Sequence, residues 1–146
     1  MPGLAFVFPG QGAQRPGMGK EIAANYTEAA RVYDQADAII GYKLSELCFN
    51  GPAELLNKTE FAQPALLITS LAILEVVKKH GLVPVMTAGL SLGEYTALVA
   101  AGSISMQEAL PLVQLRARLM QEAVPEGQGA MAAIMGLKAE QVDAAC

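Results

Sequence analysis

The run Val85-Met86-Thr87-Ala88-Gly89-Leu90-Ser91-Leu92-Gly93-Glu94 reads as an apolar strand that closes in G-x-S-x-G and opens into a helix. That pattern is a nucleophile elbow. A serine on so sharp a turn has strained backbone angles, and side chains at positions 89 and 93 would collide with the turn and with a substrate; glycine removes both obstructions. Ser91 then stands at the carboxyl end of a strand, where the Leu92 N–H and the positive end of the following helix face any oxyanion formed on a substrate. This is a geometry for acyl transfer. The same residues also spell a capping box, with Ser91 as N-cap and Glu94 as the third helical residue, so residues 85–94 alone leave both readings open.

A nucleophilic serine needs a base, and the only histidine is His80. It ends a long helical segment just ahead of the Ser91 strand, one strand length from the elbow, and reads as a capping or solvated histidine. The loop Phe8-Pro9-Gly10-Gln11-Gly12-Ala13-Gln14 lacks the third glycine of a dinucleotide fingerprint, and Met18 stands where a phosphate loop needs lysine. Between glycines, Gln11 can instead bring a bare backbone N–H to the sheet edge as the second donor of an oxyanion hole. Arg116 and Arg118 lie on a helix after the elbow. Either is a solvated or paired surface residue, or a fork for a substrate carboxylate.

The elements that must position these groups alternate between strand and helix. An apolar run at 4–8 reads as a buried strand, followed by a Gly/Pro loop at 9–19. Thr27 caps a helix over 28–40 that Gly41 ends, and 45–49 and 52–57 look like short helices. Pro64 suits the first position of a long, deeply buried helix to Lys79. A strand at 84–88 leads to the elbow and a helix over 92–101. Ser105 and Glu108 form a capping box that starts a helix to about Val124, kinked by Pro111. A change of texture near Glu126 marks a subdomain boundary, followed by a strand at 130–137 and a helix at 138–145. Strands joined by helical crossovers make a parallel α/β sheet, and so few strands read as the opening half of a larger domain.

Composition narrows the function classes. The 146 residues are 53% hydrophobic and 16% charged, the make-up of a globular domain. A net charge of −4 with scattered Lys and Arg excludes a general nucleic-acid surface. The longest apolar region, 64–77, is interrupted by Thr69, Ser70 and Glu75 and is read as too short to span a bilayer. With no signal-peptide pattern at the start, a cytoplasmic location and no membrane partner are expected. Two cysteines, Cys48 and Cys146, form neither a disulfide framework nor a metal-ligand spacing.

Taken together, Phe6-Val7-Phe8-Pro9-Gly10-Gln11-Gly12, Gly17-Met18-Gly19, Gly51-Pro52-Ala53-Glu54, Gln63-Pro64-Ala65, Gly89-Leu90-Ser91-Leu92-Gly93-Glu94-Tyr95, Leu115-Arg116 and Gly129-Ala130-Met131-Ala132-Ala133 resemble the acyltransferase-domain family. Within it the likeness is to the malonyl-CoA:acyl-carrier-protein transacylases of type II fatty acid synthesis. The resemblance implies that Ser91 carries the acyl group, that the N–H groups of Leu92 and Gln11 form the oxyanion hole, and that Arg116, not Arg118, pairs with the malonyl carboxylate. Gln63 is similar to a family residue lining the acyl site. It further implies malonyl-CoA and acyl carrier protein as partners, and neither metal nor tightly held cofactor, since each substrate carries its own CoA or phosphopantetheine.

For the fold, the resemblance implies part of an α/β-hydrolase-like acyltransferase core over residues 1–126 and the start of a ferredoxin-like small subdomain over 127–146. The family's catalytic histidine is expected farther downstream, so this segment is expected to hold about half of the catalytic domain and to be inactive alone. Leu90 stands where the family commonly has histidine. Two rival readings remain: a serine hydrolase or thioesterase sharing G-x-S-x-G, and a non-catalytic truncated chain that binds CoA or carrier protein.

Overall fold

The structure, a computed structural model, describes residues 3–124, 128–129 and 134–146. Two short strands, β1 (Ala5–Phe8) and β2 (Met86–Gly89), pair in parallel with Ala5 opposite Met86 and Phe8 opposite Gly89. Between them run α1 (Lys20–Asn25), α2 (Thr27–Ile40), α3 (Leu44–Asn50), α4 (Ala53–Leu56) and α5 (Thr59–Lys79). After β2 come α6 (Gly93–Ala100), α7 (Met106–Ala123) and α8 (Ala139–Asp143). Parallel pairing demands a crossover, and here five helices supply it. Both strands therefore deliver their carboxyl ends, and the loops that follow them, to one edge.

The core is helical. Helix α5 packs against α2, α3, α4, α6 and α7, and it buries an unbroken run from Ala62 to Thr69 because it is apolar nearly all round. It begins at Thr59, not at Pro64 as the sequence suggests. Burial overrides the local cost of an interior proline: Phe61 meets the Tyr42 ring edge-on at 5.9 Å, and Ala62 and Gln63 are fully buried. The earlier start makes α5 long and apolar enough to cross a membrane by length and composition, which corrects the expectation drawn from 64–77. Yet 67% of that apolar window is buried against the rest of the protein.

Other boundaries shift less. Tyr26, not Thr27, precedes α2, and the Thr27 hydroxyl turns to the Glu28 carboxylate instead of capping. Gly41 ends the helix at φ 83 as expected. Helix α1 went unread because it is six residues long with no buried stripe to betray it. Ser105 and Glu108 form the expected capping box of α7. The strand expected at 130–137 falls partly outside the described residues, and Ile134 to Leu137 carry no strand; the boundary near Glu126 also lies outside them. Val7 on β1 and Val83 and Val85 just before β2 are apolar side chains left at least 70% exposed.

Candidate active site

Ser91 is the only non-glycine among the described residues with a positive φ, at 52°. A left-handed serine between strand and helix is the strained turn that a nucleophile elbow requires, and such strain persists only where the surroundings impose it. The surroundings are visible. A Cβ on Gly89 would lie 2.0 Å from the Gly93 carbonyl carbon, and one on Gly93 would lie 2.3 Å from the Phe8 carbonyl oxygen. These obstacles are backbone and cannot swing away. Gly89→Ala is therefore expected to destabilise the protein by about 3 kcal/mol or more, read as a shift in denaturant midpoint; an unchanged midpoint would mean that the turn is looser than this.

The capping alternative is corrected by the same geometry. Helix α6 starts at Gly93 with Leu92 before it, and no side chain caps its N-terminus. The Glu94 N–H donates to the backbone carbonyl of Ser91 at 3.2 Å and not to its hydroxyl. The Ser91 Oγ instead accepts a hydrogen bond from Arg116 Nη2 at 3.0 Å, and it is exposed.

Arg116, half-buried on α7, donates through Nη1 to Gln63 Oε1 at 2.5 Å. Gln63 has no solvent exposure, and its Nε2 donates to Gln11 Oε1 at 3.1 Å and to Met120 Sδ at 3.3 Å. Gln11 Nε2 in turn donates to Thr59 Oγ1 at 3.1 Å. The structure thus brings Ser91, Arg116, Gln63 and Gln11 into one hydrogen-bonded chain at the carboxyl edge of the sheet. No carboxylate among the described residues pairs with Arg116. Arg118 points elsewhere, 3.8 Å from Glu122 on the exposed side of α7.

The loop after β1 closes on the elbow. The Leu90 N–H donates to Phe8 O at 3.1 Å, and a Cβ on Gly10 would lie 2.7 Å from Leu90 O. Neither the Leu92 nor the Gln11 N–H donates to an acceptor among the described residues. Both stay available as donors.

His80 follows α5, before β2, with its ring edge-on to Tyr26 at 6.1 Å; it stands at the end of the strand opposite to the elbow. Cys48 is buried in the core, and that burial pushes its thiol up to about 12, so it stays protonated and is no competing nucleophile. Among the described residues no cluster of His, Cys, Asp and Glu is arranged to hold a metal. Three residues of the site were not read from sequence: Thr59, Met120 and Tyr95, whose ring lies under the Arg116 guanidinium at 5.7 Å. Met120 had a usable signal, one helical turn beyond Arg116 on α7.

The acyl transferase domain family is matched over residues 5–146. The chain belongs to that family. Among curated relatives, it is 54% identical to the malonyl CoA-acyl carrier protein transacylase of Bacillus subtilis, covering 96% of this chain and 44% of that protein. It is 51% identical to that of Escherichia coli K12, covering all of this chain and 48% of that protein. The chain thus spans about half the length of the curated relatives it matches. Among solved structures, the transacylase from Clostridium perfringens superposes with a TM-score of 0.89 at 47% identity, over 97% of this chain and 45% of that one. A malonyl-transacylase in complex with a type II PKS acyl-carrier protein superposes with a TM-score of 0.90 at 50% identity, over 97% of this chain and 46% of that one.

Proposed function

We propose that this chain carries the nucleophile and the acyl-recognition half of a malonyl-CoA:acyl-carrier-protein transacylase. One observation carries the reading: a guanidinium with no acidic partner among the described residues is hydrogen-bonded to the hydroxyl of a left-handed serine. A half-buried cation left unpaired beside a nucleophile suits a substrate that brings its own carboxylate. A malonyl thioester does so and an acetyl thioester does not. The hydrolase reading gives the arginine no task.

In the first half-reaction, Ser91 Oγ attacks the thioester carbonyl of malonyl-CoA. The oxyanion of the tetrahedral intermediate is held by the Leu92 and Gln11 N–H groups at the positive end of α6, and CoA leaves as its thiol. The phosphopantetheine thiol of acyl carrier protein then attacks the malonyl-serine ester and restores the hydroxyl. Arg116 holds the free carboxylate, while the buried Gln63 holds Arg116. The base that takes the Ser91 proton is placed in the part of the family's length that this chain does not span, because His80 stands at the wrong end of β2. Neither metal nor resident cofactor is assigned a role, since the pantetheine arm travels with each substrate.

The same reading extends the sheet into a hydrolase-like core, with a ferredoxin-like subdomain starting near residue 127, and puts the reaction in the cytoplasm. The open apolar faces around Val7 and Val85 support further strands there. The test uses the full-length protein that includes this chain. Mixing with malonyl-CoA should give a malonyl ester at Ser91 by peptide mass mapping, and adding holo carrier protein should discharge it onto the carrier. Release to water at an equal rate with and without the carrier would instead establish a hydrolase.

A further inference from the structure

Arg116 is held from three sides, and only two of them are hydrogen bonds. Its Nη1 and Nη2 reach Gln63 and Ser91, and its central carbon lies 5.7 Å from the centroid of the Tyr95 ring. Tyr95 sits in the first turn of α6, four residues after Ser91, so the elbow that orients the serine also sets where this ring stands. Both residues are partly buried, which strengthens the attraction between a cation and the negative face of a ring. The Tyr95 hydroxyl makes no hydrogen bond among the described residues, so the ring, not the hydroxyl, is the part in use.

We infer that Tyr95 is a positioning residue that sets acyl selectivity, its ring holding the Arg116 guanidinium at the angle from which it can leave Ser91 and take a substrate carboxylate. The inference rests on the function proposed above. The Ser91 Oγ must be released when the carboxylate binds, and at that moment Arg116 keeps only Gln63 and the ring. A guanidinium held at one nitrogen alone rotates about that bond; the ring blocks the rotation without competing for donors. Acetyl groups make no use of Arg116 and should be indifferent to the ring.

The test measures malonyl and acetyl transfer to carrier protein by the full-length enzyme with Tyr95→Leu, Tyr95→Phe, Arg116→Ala and the Tyr95→Leu/Arg116→Ala double substitution. Tyr95→Leu should lower the malonyl-to-acetyl ratio of kcat/KM about threefold to tenfold, mostly through the malonyl KM. Tyr95→Phe should keep the wild-type ratio, and Tyr95→Leu should add nothing in the Arg116→Ala background. If Tyr95→Leu does not fold, replacing Tyr95 by pentafluorophenylalanine, which keeps the shape and removes the negative face, should lower the ratio likewise. Equal losses for both acyl groups, or a ratio unmoved by Tyr95→Leu or the fluorinated ring while Arg116→Ala still moves it, would overturn this role and leave the proposed function intact. An unmoved ratio in Arg116→Ala itself would overturn the carboxylate reading beneath it.

Discussion

Ser91→Ala in the full-length protein should abolish the malonyl-enzyme adduct and should shift stability by no more than about 1 kcal/mol. The first part follows from the proposed role of Ser91, whose hydroxyl oxygen would form the ester. The second follows from the local structure: Ser91 caps nothing, so its removal costs α6 no hydrogen bond. What is lost is one contact with Arg116, which is partly exposed and can turn to water. Alanine at φ 52 is strained much as serine is. Intact mass after mixing with malonyl-CoA and a denaturation curve decide both parts. An adduct surviving the substitution would move the nucleophile elsewhere, and a large loss of stability would restore a structural role for the hydroxyl.

Arg116→Ala should lower malonyl transfer by roughly 2–3 kcal/mol in kcat/KM, about 30-fold to 150-fold, while leaving acetyl transfer nearly unchanged. The magnitude is that of a charge-assisted pair in a partly desolvated site. The substitution leaves the malonyl carboxylate without its counter-charge, and leaves Gln63, fully buried, with an unpaired Oε1. Arg118→Ala is the control: its side chain faces Glu122 on the outer side of α7, so it should move neither rate. A fall of equal size for both acyl groups would assign Arg116 to orienting Ser91 instead of to reading the substrate.

How much of this was legible beforehand depends on the range of each interaction. The elbow is local: strand, two glycines, serine and helix occupy ten consecutive residues, and the steric need for Gly89 and Gly93 follows from the turn itself. The α7 capping box is local too, and it forms as expected. The choice between nucleophile and cap for Ser91 was not local, because it depended on a φ angle imposed by the loop after β1, some eighty residues away in the chain. Pro64 was misread for the same kind of reason. Its preference for a first turn is a weak local bias, and burying Phe61, Ala62 and Gln63 against neighbouring helices outweighs it. Gln63 itself was assigned by family resemblance; only the fold shows it to be the buried joint between Gln11 and Arg116.

The run from Thr59 through Gln11 and Gln63 to Arg116 also has a sense of direction. An arginine only donates, so the Gln63 oxygen must turn toward it, which commits the Gln63 nitrogen to Gln11 and the Gln11 nitrogen to Thr59. Both amides are thereby locked against a flip by a group that can only donate. An amide at position 63 can take this part without neutralising anything, whereas a carboxylate there would lodge a permanent anion on the arginine. The choice of glutamine thus leaves the Arg116 charge unneutralised by its buried partner, and under the proposed function the entering acyl group would itself be the counterion.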